Sequence, residues 1–127
     1  AYRAAIAADP GVPGAHTNLG NLLMTNRNDH DGAETAYRAA IATDPRFNAH
    51  TNLGTLFAVR AERSEERSEQ SGNDLGAAAA LWDQAVLHFE KAVALGFETD
   101  GHEGLNMARA EAARVRAALK RHFMGLP

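Results

Sequence analysis

The sequence predicts an all-α protein made of antiparallel helix pairs stacked one behind another, and two repeats with nearly the same period carry that expectation. AYRAAIAADP at residues 1–10 returns as AYRAAIATDP at 36–45, with a single substitution. AHTNLG at 15–20 returns unchanged at 49–54. The spacings, 35 and 34 residues, suit two helices and two turns, and units of that kind bury a continuous core only by stacking. A third observation agrees: apolar side chains recur at helical spacing, and no stretch alternates as a strand does.

Helices are expected over residues 1–9, 13–26, 31–43, 47–60, 75–95 and 101–123. The first, with Tyr2 and Ala5, stops at Pro10 and reads as the second helix of a unit whose first helix is missing. Its apolar face needs cover, so the stretch is expected to be an excerpt that begins inside a repeat. With about two and a half units where roughly three are needed, it should melt low or self-associate in isolation. Residues 13–45 make one full unit. In it Asp31 and Glu34 have capping-box spacing, and Ala33, Tyr37, Ala40 and Ile41 fall on one helix face. Residues 47–97 make the next, where Ala78, Trp82, Ala85, Phe89 and Ala92 repeat the stripe and Gly96 is placed to end the helix. The last helix, within 101–124, opens with Asp100 and Glu103 at capping-box spacing. It carries Leu105, Ala108, Ala112, Val115 and Leu119 on one face and Arg109, Arg114, Arg116 and Lys120 elsewhere, as a cap over the open end of the stack would. One domain spans 1–127.

A worn third copy places the irregularity. His16 with Leu19 and His50 with Leu53 are matched by His102 with Leu105, but His50 and His102 are 52 residues apart instead of 34, a surplus of 18. The surplus includes AERSEERSEQSGND, residues 61–74, with seven charged residues and no aliphatic one beyond Ala61. As a helix it would set Glu62 against Glu66, Arg63 against Arg67 and Glu65 against Glu69, each pair unfavourable by roughly 0.2–0.5 kcal/mol. A mobile loop that adds nothing to the core is therefore expected; the alternative is a helical arm prolonging the helix that begins near 47.

These residues resemble the tetratricopeptide family, whose motif asks for a large residue, Leu-Gly, a further large residue, and later Ala, an aromatic, Ala and Pro. Leu19-Gly20, Leu23, Ala33, Tyr37, Ala40 and Pro45 fill those places in one unit. Leu53-Gly54, Phe57, Ala85, Phe89 and Ala92 fill them in the next, and Tyr2, Ala5 and Pro10 remain of a preceding one. The match departs at His16 and His50, where the family often has tryptophan, and at Phe97, where it has proline. The resemblance implies a right-handed α-solenoid whose first helices line a concave groove that holds an extended peptide or a partner helix.

In that groove Asn18 and Asn52 occupy the place of an asparagine whose amide both donates to and accepts from a peptide backbone. Thr17, Asn21, Thr51 and Thr55 are expected to face the same groove. Gly104 stands at the third place, so the asparagine ladder has two rungs. Capture of a chaperone's C-terminal carboxylate is not expected: Thr17 replaces the first lysine, and Asp100 and Gly104 stand where the third unit should be basic, although Asn21 and Asn52 would serve. The expected role is thus a scaffold or adaptor that binds another protein. The alternatives are a structural subunit of a larger assembly held by its outer faces, or the non-catalytic arm of a larger enzyme such as the glycosyltransferase that modifies protein serines and threonines, whose repeats look alike.

Other classes find little support. With 45% hydrophobic and 23% charged residues and a formal net charge of −3, the chain fits a globular domain and has no basic field for nucleic acid. It has no cysteine, which fits any redox compartment and leaves no thiol chemistry. The apolar run 77–82 is far short of the roughly 20 residues of a membrane span. There is no Gly-rich phosphate loop and no nucleophile elbow, and Asp44 and Asp83 read as a turn and a helix surface, so neither catalytic residues nor a cofactor are expected. His16, His50 and His102 recur by whole repeats and so lie in separate helical layers, roughly 8–10 Å apart. His30, His88 and His122 lack a second histidine four residues on and read as surface or packing residues; no metal site is expected.

Overall fold

The structure, a computed structural model, describes residues 13–26, 28–44, 49–71, 75–96 and 98–125. They form five helices: α1 (Pro13–Asn26), α2 (His30–Thr43), α3 (His50–Ser71), α4 (Leu75–Ala94) and α5 (Glu98–Phe123). Among the described residues there is no strand. The helix expected over 1–9, with Tyr2, Ala5 and Pro10, lies outside them, as do Pro45 and Phe97. The largest contacts pair α1 with α2, α3 with α4 and α4 with α5, and smaller ones join α2 to α3 and α3 to α5.

The helix limits follow from local chemistry. Pro13 opens α1, where its missing N–H costs nothing. The turn into α2 bends through Asn28, whose φ of 53° is tolerated by asparagine. Asp29, not Asp31, caps α2: its carboxylate accepts from the Gly32 N–H at 2.9 Å. The capping box expected from Asp31 and Glu34 is therefore replaced by a single cap at Asp29, and Asp31 lies inside the first turn. Asp44, ahead of Pro45, is extended at φ −144°, as a residue before proline prefers. Gly96 ends α4 in the left-handed region at φ 93°, with its N–H on the Val93 carbonyl. The last helix begins at Glu98, ahead of Asp100 and the start expected there.

The core runs through all five helices. Leu19, Leu23, Tyr37, Leu53, Leu56, Phe57, Trp82, Phe89, Leu105 and Val115 are its larger members, with alanines between them. Two close approaches recur one period apart. A Cβ on Gly20 would stand 2.5 Å from the Tyr37 ring, and one on Gly54 would stand 2.8 Å from the Phe89 ring. Phe89 is confined from a second side, because a Cβ on Gly104 of α5 would lie 2.5 Å from the same ring. Gly104→Ala should therefore destabilise. The helix-propensity gain of up to about 1 kcal/mol is outweighed by overpacking of roughly 1–3 kcal/mol. Urea unfolding checks this; Phe89→Leu added to Gly104→Ala should recover part of the loss.

The mobile loop expected at 61–74 is overturned through Ser71. That stretch continues α3, and instead of standing outside the core it buries Ala61 and Ser64 against it. The like-charge pairs counted along the helix are offset by partners on the neighbouring turn and helices. Arg63 donates to the Asn28 side chain at 2.7 Å. Glu65 accepts from the Trp82 indole at 3.0 Å and from Arg114 of α5 at 2.5 Å. Just before the segment, Arg60 reaches Glu34 at 2.6 Å and Asp31 at 2.8 Å on α2 and lies over the Phe57 ring. Residues 72–74 lie outside the described residues.

Candidate functional site

The residues expected to bind a partner sit on α1 and α3, the first members of their helix pairs. Asn18 is exposed and Asn52 half-buried. Each stands two residues before the glycine that seats an aromatic ring, so the two are equivalent in their units. Among the described residues neither amide is engaged in a hydrogen bond. The other four are committed elsewhere to different degrees. Asn21, though exposed, accepts the Tyr37 hydroxyl proton at 2.5 Å, a role that locks the ring and takes up its carbonyl oxygen. Thr55 donates to the Thr51 carbonyl at 3.0 Å. Thr17 is buried and Thr51 half-buried, and both have partners of their own.

On the flank of α1 and α2, His16, Leu19, Leu23, Gly32, Thr35, Ala36 and Ala39 line an open hollow of about 340 Å³. Its walls are mostly apolar.

A second cleft, of about 230 Å³, lies between α2, α3 and α4 and has a different chemistry. Arg38, Ile41 and Ala42 of α2, His50 of α3 and His88 and Lys91 of α4 line it. His50 and His88 meet Nδ1 to Nδ1 at 3.5 Å, so one ring donates and the other accepts. Their rings stack at 5.7 Å between centroids, and the other neighbour of His88 is Phe57, nearly parallel at 5.5 Å. Both rings are buried, and His88 Nε2 has no hydrogen-bond partner among the described residues. Burial, then the nearby Lys91 and Arg38 cations, pushes His88 down to about 4, with Glu34 opposing weakly. The same causes, burial first, lower His50. Glu34 itself is pulled up by burial but held below its ordinary value by hydrogen bonds from Arg60 and Arg38.

Sequence reasoning missed this pair. The repeats match His50 with His16 and His102, and the spacing along α4 leaves His88 as a surface or packing residue; the structure makes it a packing residue stacked on His50. The signal lay in the packing rule itself: a first-helix position that faces its second helix must meet something there, and one place before Phe89 that is a histidine. Among the described residues no group of three or more His, Cys, Asp or Glu side chains is arranged to hold a metal ion. Nor, among them, is any helix long and apolar enough to cross a membrane.

Fold and side chains together define an all-α protein of packed helix pairs with a basic cleft between α2, α3 and α4. No protein-family model, no curated protein and no solved structure matches the chain.

Proposed function

We propose that the chain is a non-catalytic, protein-binding module of tetratricopeptide type, a right-handed stack of helix pairs closed by α5, that holds an extended peptide along the face bearing Asn18 and Asn52. The observation that carries this reading is the packing relation repeated one period apart. Tyr37 seats on Gly20 and Phe89 seats on Gly54, which supports treating the two units as one motif and their asparagines as successive rungs. An amide with both donor and acceptor unused suits a peptide backbone, which offers one of each at every residue.

The test is retention of partners from the native source by the wild-type chain and by an Asn18→Ala, Asn52→Ala double variant whose helicity is unchanged by circular dichroism. Loss of two such contacts should weaken a groove-bound partner by about tenfold or more. Partners that bind both chains alike would move recognition to another surface. A second reading, a structural subunit held by its outer faces, is favoured by two particulars: Asn21 is already used by Tyr37, and the flank of α1 and α2 carries the apolar hollow of about 340 Å³.

A further inference from the structure

We propose that the cleft between α2, α3 and α4 is a binding site for a carboxylate group, with Arg38 and Lys91 supplying charge and the His50–His88 pair forming its inner wall. This goes beyond the peptide groove and does not depend on it, since none of these residues is among those assigned to that groove.

The sign of the ligand follows from the lining. Among the described residues, the polar side chains lining the cleft are a guanidinium, an ammonium and two imidazoles, and none is a carboxylate. A pair of ring nitrogens 3.5 Å apart has a separation that two ligands of one metal ion could adopt, but among the described residues a cation placed there would meet Arg38 and Lys91, with only Glu34, already bound by Arg38 and Arg60, to offset them. An anion meets the opposite field.

The charge of the ligand follows from the ion pairs. Arg38 shares its charge with Glu34, with Nε 2.9 Å from the carboxylate, yet half its side chain remains exposed. Lys91 has no ion pair among the described residues. One uncompensated cation and one half-compensated cation suit a monoanion better than a dianion, and a guanidinium is well shaped to bind a carboxylate through two N–H groups. Ile41 and Ala42 give the cleft an apolar side on which the carbon chain of such a ligand can lie.

The inner wall adds a linkage. Burial and the same two cations lower the proton affinity of both imidazoles. Among the described residues, the charged groups acting on the pair are Arg38 and Glu34 from α2 and Lys91 from α4, with His50 and His88 facing each other from α3 and α4. An anion in the cleft adds a negative charge to this set and raises the proton affinity of the rings. Binding is then accompanied by proton uptake, and it tightens as pH falls.

The experiment follows the imidazole resonances of His50 and His88 by NMR in the 127-residue chain. The probes are acetate, trialanine with a free C-terminus, trialanine amide, inorganic phosphate and zinc chloride. Acetate is expected to shift both rings saturably. Its apparent affinity should rise as pH falls from 7 to 5.5, where a ring lifted from about 4 by a neighbouring anion begins to take up its proton, at no more than about tenfold per pH unit, the limit for uptake of one proton. Lys91→Gln, a change at an exposed side chain, should weaken it by about tenfold with the circular dichroism spectrum unchanged. Free trialanine binding more tightly than acetate, with the amide inert, assigns the ligand to a chain terminus; acetate binding as tightly assigns a small carboxylate. Non-saturating shifts, an affinity unaltered by Lys91→Gln, or tighter binding of phosphate or zinc would overturn the proposal.

Discussion

Trp82→Ala should cost about 3–5 kcal/mol, the range for truncating a buried tryptophan, and should release the distal part of α3 before the rest of the molecule. Trp82 is 1% exposed and among the largest fully buried side chains. Its loss opens a cavity between α3 and α4 and at the same time removes a donor from Glu65, whose side chain is only 16% exposed. Arg114 would remain as the partner of that carboxylate. Thermal unfolding measures the total, and hydrogen exchange measures the order: amides of residues 61–67 should lose protection ahead of those in α2. Trp82→Phe keeps most of the volume and loses the N–H, so it should cost distinctly less than the alanine variant. A Trp82→Ala chain within 1 kcal/mol of wild type would mean that α4 does not hold α3 in place.

The second large effect is acid sensitivity from His88. Its folded value, about 4, lies below the ordinary 6.5. Above pH 6.5 both folded and unfolded chains carry the ring neutral, and its contribution to stability is complete. Between 6.5 and about 4 the unfolded chain binds a proton that the folded chain refuses, so stability falls as pH falls. The drop is roughly 3 kcal/mol over that interval, at about 1.4 kcal/mol per unit, and His50, lowered for the same reasons, acts in the same direction. Glu34 contributes the ordinary carboxylate behaviour: its folded value lies below 4.5, so its share is present above 4.5 and is lost as pH falls through the folded value. Urea unfolding from pH 7.5 to 4 should give a shallower decline for His88→Leu than for the wild type. Parallel curves would show that the ring titrates freely in the folded chain.

How far these features could be read in advance depends on whether their causes are local. The limits of α1, α2 and α4 were legible to within a residue because prolines and a left-handed glycine act on their own neighbours, although the acid that caps α2 is Asp29 and not the expected Asp31. The aromatic stripe of α4 was legible for the same reason: one helix face suffices to reveal it. The helical state of residues 61–71 was not, because Arg63 and Glu65 find their partners 35 residues back and 49 residues ahead. Counting only pairs within the segment gave the wrong sign. Of the binding face, the equivalence of Asn18 and Asn52 followed from the period, whereas the use of Asn21 by Tyr37 and the meeting of His50 with His88 required two helices to be placed side by side.

The lengths of α3 and α4 bear on how the second unit tolerates its surplus. These helices have 22 and 20 residues where α1 and α2 have 14 each. The path from Gly54 to Phe89 is 35 residues and that from Gly20 to Tyr37 is 17. The difference, 18, divides between the two arms: α3 runs 11 residues farther beyond Gly54 than α1 does beyond Gly20, and α4 runs 7 farther ahead of Phe89 than α2 does ahead of Tyr37, about three and two turns at 3.6 residues per turn. Growth at the far tip of a hairpin by whole turns leaves the rotational phase of both arms unchanged, so the ring still comes down on its glycine. Each unit can thus change in reach while keeping its seat, much as a drawer extends without altering its runners.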